Sequence, residues 1–309
     1  MFLEELALCD NAGVAMGVSV QTDMATPALH QFGSEALKEQ FLVPAIRGEQ
    51  VAAIAVTEPG AGSDVAGIKT RAVRDGGWWV INGSKMFITN TANADWLCLL
   101  AVTDPAAGYR GYAQIIVPTD TPGFSYRLLD KIGNRGSDTG LLFFDEVRVP
   151  VANTIGDPHR GFQQQMAQFQ TERMVPVVTS PVTARHLWDI TLRHAQQRVA
   201  FGQPLASMQV NRFKFVEMLI QINAAQALAH QCIAKMTKGE DIALDVSMAK
   251  VFCANMKQYV ATTCLQLFGG SGYIWENAAA RAFVDSRLST IGGGADEVMK
   301  EVVARILKI

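Results

Sequence analysis

AVTEPGAGSDVAGIKTRAVRDGGWWVINGSKMFITN, residues 55–90, decides the architecture. It reads as apolar strand, glycine-rich loop, strand, a turn at Asp75-Gly76-Gly77, strand, a second turn at Asn82-Gly83, and a last strand. Asp-Gly and Asn-Gly pairs between β-branched and aromatic residues are the strongest short-range hairpin signal. The loop Glu58–Asp64, EPGAGSD, sets small residues after a proline and ends on a hydroxyl and a carboxylate. Glycines there let the backbone approach a ligand closely, and exposed amides bind an anion such as a diphosphate. Read alone, a glycine cluster of this kind is usually a tight β-loop.

Around this stretch the period of two continues from about Gln50 to Gly156. ADWLCLLAVT, GYAQIIVPTD, FSYRLLDKIG and LLFFDEVRVP are separated by Gly, Pro and Asp, which predicts a mostly antiparallel sheet domain or barrel. Before it, Met1 to about Glu49 is helical, with Ser34 capping a helix that runs to a stop at Gly48 and is bent late by Pro44. After it, helices are expected over 162–200, 207–237, 240–268, 276–288 and from 295, most simply as an antiparallel bundle. Pro176 and Pro181 fall inside the first of these. Pro176 has no amide hydrogen to give the carbonyl four residues back, that of Glu172, and so predicts a kink beside it. The fold class is α+β: helical residues 1–50, a middle β domain over 51–157 and a helical bundle over 158–309.

Composition removes several functions. The chain has 309 residues, 49% of them hydrophobic, and a net charge of -2, so long disorder and a global attraction to nucleic acid or anionic membrane are not expected. No apolar run is long enough to span a bilayer. The 5 cysteines and 5 histidines show neither CxxC nor metal-ligand spacing, which indicates reduced thiols in a cytoplasmic compartment and no metal site. No GxGxxG opens a helix and no GxxxxGK[ST] occurs, which disfavours a nicotinamide-binding or P-loop unit.

Ala55–Gly67 together with Phe87–Asn90 resembles the first signature of the acyl-CoA dehydrogenase family. Gln266–Asp285, QLFGGSGYIWENAAARAFVD, resembles the second, and Gln197–Leu205, QRVAFGQPL, is similar to the segment through which one subunit reaches the flavin dinucleotide of another. The resemblance covers essentially the whole chain, although the helical region at its start lacks several of the family's opening helices. It implies FAD as cofactor, a tetramer built as a pair of dimers, and removal of two hydrogens across Cα–Cβ of an acyl-CoA, with an electron-transfer flavoprotein as acceptor. By the same resemblance Val56, Thr57, Phe87, Ile88 and Thr89 lie along the flavin, and Ser63 lies near the diphosphate and the pantetheine arm. Arg198, Phe201, Gln266, Gly269 and Gly270 hold the neighbouring subunit's FAD, Glu297 faces the cofactor, and Arg173, Gly293 and Gly294 meet the substrate. Each has a plainer reading: Phe87 and Ile88 as strand core, Arg198 as a surface charge.

The reaction needs a base within hydrogen-bond reach of Cα in a water-poor pocket. Most of the family carries a Glu before a Gly in the C-terminal loop, whereas IGGGADEVMKE puts Gly293 there, with Glu297 four residues on. The isovaleryl-CoA and long-chain branch draws its base from a Glu-Arg pair on the long helix, and this chain has Glu172-Arg173 in TERM. Glu172 is therefore the expected base, against the usual fate of Glu as a solvated helix carboxylate. Two other classes share these features: an acyl-CoA oxidase of the same fold, and a non-catalytic relative acting as an interaction protein.

Overall fold

The computed structural model describes residues 1–309. The chain divides into a sheet unit, Met16–Lys131 with Arg135–Glu172, and a helical unit, Met1–Ala15 with Ile132–Asn134 and Arg173–Ile309. The opening helices are α1 (Phe2–Leu6), α2 (Ala12–Ser19), α3 (Pro27–Phe32), α4 (Glu35–Leu37) and α5 (Val43–Ile46), with π-helical stretches at Val20–Ala25 and Lys38–Leu42. Ser34 caps as expected, its Oγ accepting from the Leu37 amide at 3.3 Å. Pro44 sits in the first turn of α5, where a missing amide costs nothing, and the widened π turn just before it absorbs the irregularity.

The strands are β1 (Ala52–Ala55), β2 (Arg71–Asp75), β3 (Trp78–Thr89), β4 (Trp96–Val102), β5 (Tyr112–Pro118), β6 (Phe124–Leu128), β7 (Thr139–Pro150) and β8 (Thr154–Ile155). They form one sheet in the order β6-β7-β3-β2-β4-β5-β8, with β1 added parallel to β4. Every residue of β4 is buried because both its faces are covered. Leu97, Leu99 and Ala101 face the interior built with Ile81, Ile115, Leu142 and Val147. Trp96 and Cys98 face Leu29, Leu37, Phe41 and Leu42 of the opening helices. A strand buried on both faces reads as the unbroken run WLCLLAV rather than as an alternation.

The first turn expected from sequence is present: β2 and β3 form a hairpin closed by Asp75 and Trp78. The second is not. β3 runs straight through Asn82-Gly83, which forms a bulge against β7 where the register slips between Ile81 and Gly83. Asn82 is held there by Glu146, donating from Nδ2 to the carboxylate at 2.6 Å and accepting the Glu146 amide at 2.9 Å. Gly83, at φ +148°, is required because a Cβ would lie 2.5–2.8 Å from three atoms of Thr70. The Asn-Gly pair thus serves close approach rather than chain reversal.

The remaining elements are α6 (Gly161–Gln197), a hairpin of β9 (Val199–Ala200) and β10 (Gln203–Pro204), α7 (Gln209–Met236), α8 (Ala243–Phe268), α9 (Ala278–Ser286) and α10 (Asp296–Leu307). Their limits fall close to those read from the apolar period. α6 continues through Pro176 and Pro181, and Thr179 and Thr183 return hydroxyl hydrogen bonds to Val175 and Thr179. The helical unit packs Val177, Leu187, Phe215, Met218, Ile222, Val246, Cys253 and Val260 into one core. No helix is long and apolar enough to cross a membrane.

The bulge gives a paired test. Gly83→Ala should destabilise the protein by on the order of 3 kcal/mol, from overlap with Thr70 and an unfavourable φ. Gly77→Ala, where a Cβ meets nothing within 4 Å, should change thermal unfolding by less than about 0.5 kcal/mol. Equal effects would show that the bulge needs no glycine.

Candidate functional site

In the sheet unit the glycine-rich loop leaves β1 and is stapled at its root. Glu58 and Ala61 exchange backbone hydrogen bonds at 2.9 and 3.1 Å, so Pro59 and Gly60 form the tip. The Met86 amide donates to the Thr57 carbonyl at 2.8 Å, which places β3's end beside the loop. Lys85 is fully buried, and its Nζ donates to the Val56 carbonyl at 2.8 Å and to Glu58 at 2.9 Å. Glu58 also accepts the amides of Lys69 and Thr70, at 2.6 and 2.9 Å. Burial opposes the Glu58 charge, but Lys85 and these donors together hold its carboxyl below the usual carboxylate range.

This frame brings Thr57, Phe87, Ile88 and Thr89 together. Phe87 is held at φ +61° with 62% of its surface exposed. A bulky residue in the left-handed region is strained, and such strain collects at ligand contacts. Thr57 and Thr89 are half-buried and Ser63 is exposed. Ile88 and Val56 are buried among apolar neighbours, so the side chain of Ile88 is strand core.

Glu172 lies on α6 in the same unit, 8% exposed. Gln168 Nε2, one turn earlier, donates to its Oε1 at 3.0 Å. Cys98 is near enough to feel the carboxylate: burial and then Glu172 push its thiol up to about 12, so it stays neutral. A buried carboxylate that accepts from a fixed amide is not the solvated helix charge of the plainer reading. Sequence alone missed Gln168, one of several polar residues in the expected helix.

In the helical unit the Gly292–Gly294 loop is pinned by a second buried ammonium. Lys250 Nζ donates to the Gly294 carbonyl at 2.6 Å and to Asp296 at 3.2 Å, and Asn255 donates to Asp296 at 2.7 Å. Gly293 is exposed at φ +66°, and Glu297 is exposed in the first turn of α10. Arg173 is half-buried, and its Nε would lie 3.9 Å from a Cβ on Gly294. Arg198, Phe201, Gln266, Gly269 and Gly270 are all exposed. His194 near the end of α6 and Phe268 at the end of α8 stack with ring centroids 4.4 Å apart, which gathers the two segments at one end of the unit. Phe201 and Gly202 both have positive φ and form the two-residue turn of the β9–β10 hairpin, with Phe201 96% exposed.

Family models match along the chain: the acyl-CoA dehydrogenase N-terminal domain over residues 1–49, the middle domain over 53–147 and the C-terminal domain over 159–308. The chain belongs to the acyl-CoA dehydrogenase family. The long-chain specific acyl-CoA dehydrogenase of Sus scrofa mitochondria is 36% identical over 292 residues, 94% of this chain and 68% of that protein. The butyryl-CoA dehydrogenase structure from Megasphaera elsdenii superposes with a TM-score of 0.95 at 35% identity, covering 99% of this chain and 80% of that one. A structure described as the electron transferring flavoprotein of Acidaminococcus fermentans has a TM-score of 0.95 at 30% identity, covering 99% of this chain and 80% of that one.

As a member of the acyl-CoA dehydrogenase family the chain is a flavoprotein oxidoreductase whose cofactor is FAD. The residues present fit it. Gly60 and Gly270 have ordinary φ, and a Cβ at either would meet no protein atom within 4 Å. Neither backbone strain nor packing within this chain explains these glycines. Both are exposed, so the two loops leave open space in which the cofactor can come close to the backbone.

The buried pair sets a measurable requirement. Lys85→Met should destabilise by about 3–5 kcal/mol, because Glu58 keeps an uncompensated charge. Lys85→Met with Glu58→Gln should regain part of that loss in thermal unfolding. A single variant as stable as the parent would mean that the loop is held by its backbone bonds alone.

Proposed function

We propose that this chain dehydrogenates a fatty or branched-chain acyl-CoA thioester to the trans-2-enoyl-CoA, with Glu172 as the base that removes the α-proton. The observation that carries this reading is Glu172 itself: a buried carboxylate, an acceptor to Gln168, beside a neutral Cys98, in a chain with glycine at position 293. FAD, when bound, supplies the acceptor for the hydride from Cβ.

The chain's own residues then divide the work. Thr57, Phe87 and Thr89 would meet the flavin with side chains, and Val56 and Ile88 with their backbones. Ser63 would meet the diphosphate and the pantetheine arm. Arg173, Gly293 and Gly294 would receive the substrate, and the exposed Gly293, where a Cβ would meet nothing within 4 Å, leaves room for it. Arg198, Phe201, Gln266, Gly269, Gly270 and Glu297 would meet cofactor, the first five that of a neighbouring subunit. A phenylalanine at a strained hairpin tip, almost wholly exposed, gains little in a lone chain and much against a partner. Val210, Phe213, Val216 and Ile220 likewise expose an apolar stripe on α7, which supports a homo-oligomer, by family resemblance a tetramer.

The same resemblance gives an electron-transfer flavoprotein as electron acceptor, with fatty-acid β-oxidation or branched-chain degradation as the setting. It also supports the three-part domain division at 1–50, 51–157 and 158–309. Five free cysteines, four of them buried, support a reducing, cytoplasmic location. A net charge of -2 supports neither a nucleic-acid partner nor membrane insertion.

Two experiments test this reading. In Glu172→Gln, flavin reduction by acyl-CoA should fall about 10²–10⁴-fold while bound FAD and acyl-CoA affinity are kept. Reduction at the parent rate would exclude Glu172, and an inactive Glu297→Gln would then name its replacement. In Arg198→Ala, FAD should dissociate about tenfold more readily for want of a charge-assisted contact. Unchanged retention would remove Arg198 from the cofactor site.

A further inference from the structure

A directed chain of buried amides ends on Glu172. Gln164, Gln165 and Gln168 on α6 and Gln114 on β5 are all buried. Gln164 Nε2 donates to the Ile155 carbonyl at 3.0 Å and to Gln114 Oε1 at 3.2 Å. Gln114 Nε2 donates to Gln165 Oε1 at 3.0 Å and to Gln168 Oε1 at 3.1 Å. Gln168 Nε2 donates to the Met24 carbonyl and to Glu172 Oε1.

The direction of these bonds is set from both ends. The Ile155 and Met24 carbonyls only accept, so the amide groups facing them must be NH₂. With Gln164 and Gln168 oriented in this way, Gln114 has one arrangement that satisfies both neighbours. The Met24 carbonyl belongs to the π-helical stretch Val20–Ala25, a departure from α geometry that recurs at functional sites. Four glutamines in a dry interior would be costly as mere filling.

We infer that Gln168 is a positioning residue for the reaction: with Gln114 behind it, it fixes the orientation in which the Glu172 carboxylate meets the α-carbon. The inference rests on Glu172 being the base. Gln168 itself touches neither substrate nor flavin in this account. It acts through its hydrogen bond to Oε1, which favours one setting of the last torsion of the Glu172 side chain. A base held in the attack geometry keeps a rate advantage that small misplacement loses.

The test isolates proton removal from redox chemistry. An acyl-CoA deuterated at Cα and lacking any hydrogen on Cβ cannot be dehydrogenated, so loss of its α-deuterium to water reads the base alone. In Gln168→Met this exchange should slow by about ten- to a hundredfold, with the Kd of the same acyl-CoA and the FAD content unchanged. A purely structural glutamine would alter the last two instead. Gln114→Leu, which removes the bond that holds Gln168 Oε1 and leaves Met24 to hold the amide alone, should slow exchange in the same sense by a smaller factor, and it decides the matter if Gln168→Met does not fold. Glu172→Gln, measured alongside, should stop exchange. If it exchanges at the parent rate, both the base and its positioning are wrong. If it stops while Gln168→Met, or a folded Gln114→Leu in its place, exchanges at the parent rate, Glu172 stands as base and the positioning role is overturned.

Discussion

Lys85 has no contact with water, and this constrains much of the sheet unit around it. A buried ammonium must find acceptors in the protein, and here they are the Val56 carbonyl and Glu58. Glu58, buried in turn, must be satisfied by Lys85 and two backbone amides. Satisfying both charges therefore fixes the root of the glycine-rich loop against the end of β3, which sets Thr57 beside Phe87. The helical unit repeats the device with Lys250, whose acceptors are the Gly294 carbonyl and Asp296. In each case a loop with little side-chain substance of its own is held from beneath by a lysine, and its outer surface is left to a ligand.

Much of this was legible in the sequence. ADWLCLLAVT is a strand as expected, though buried on both faces rather than alternating, the Asp75-Gly76-Gly77 turn is where its composition puts it, and the helical periods give five helices close to their observed limits. What failed did so for physical reasons. Asn82-Gly83 carries the composition of a hairpin turn, but its glycine answers to Thr70, a neighbour that only the folded sheet supplies. Lys85 has the same alternation phase as Trp79 and Ile81, so its inward direction was readable, but its partner Glu58 lies 27 residues away. The β9–β10 hairpin was too short to show any period. The glutamine chain was hidden because periodicity counts apolar residues, although Gln164, Gln168 and Glu172 recur every fourth residue along one face of α6.

The protein thus combines two kinds of support that sequence treats differently. The signature loops announce themselves through glycine, and their resemblance to a family is strong because the ordered strings are long. The groups that hold those loops and that bond Glu172 are lysine and glutamine, residues whose usual place is the surface. Their burial is a cost the fold offsets with hydrogen bonds to Lys85, Lys250, Gln114 and Gln168, and such costs collect where geometry matters to function.

The central claim is that Glu172, held by Gln168, is the carboxylate that meets the α-carbon. A crystal structure of this protein with FAD and a non-reactive acyl-CoA tests it most directly. The account predicts a Glu172 oxygen within about 3.5 Å of the substrate's Cα, with the Gln168 bond to Oε1 retained. A substrate whose Cα lies against another carboxylate, with Glu172 turned away, would contradict it.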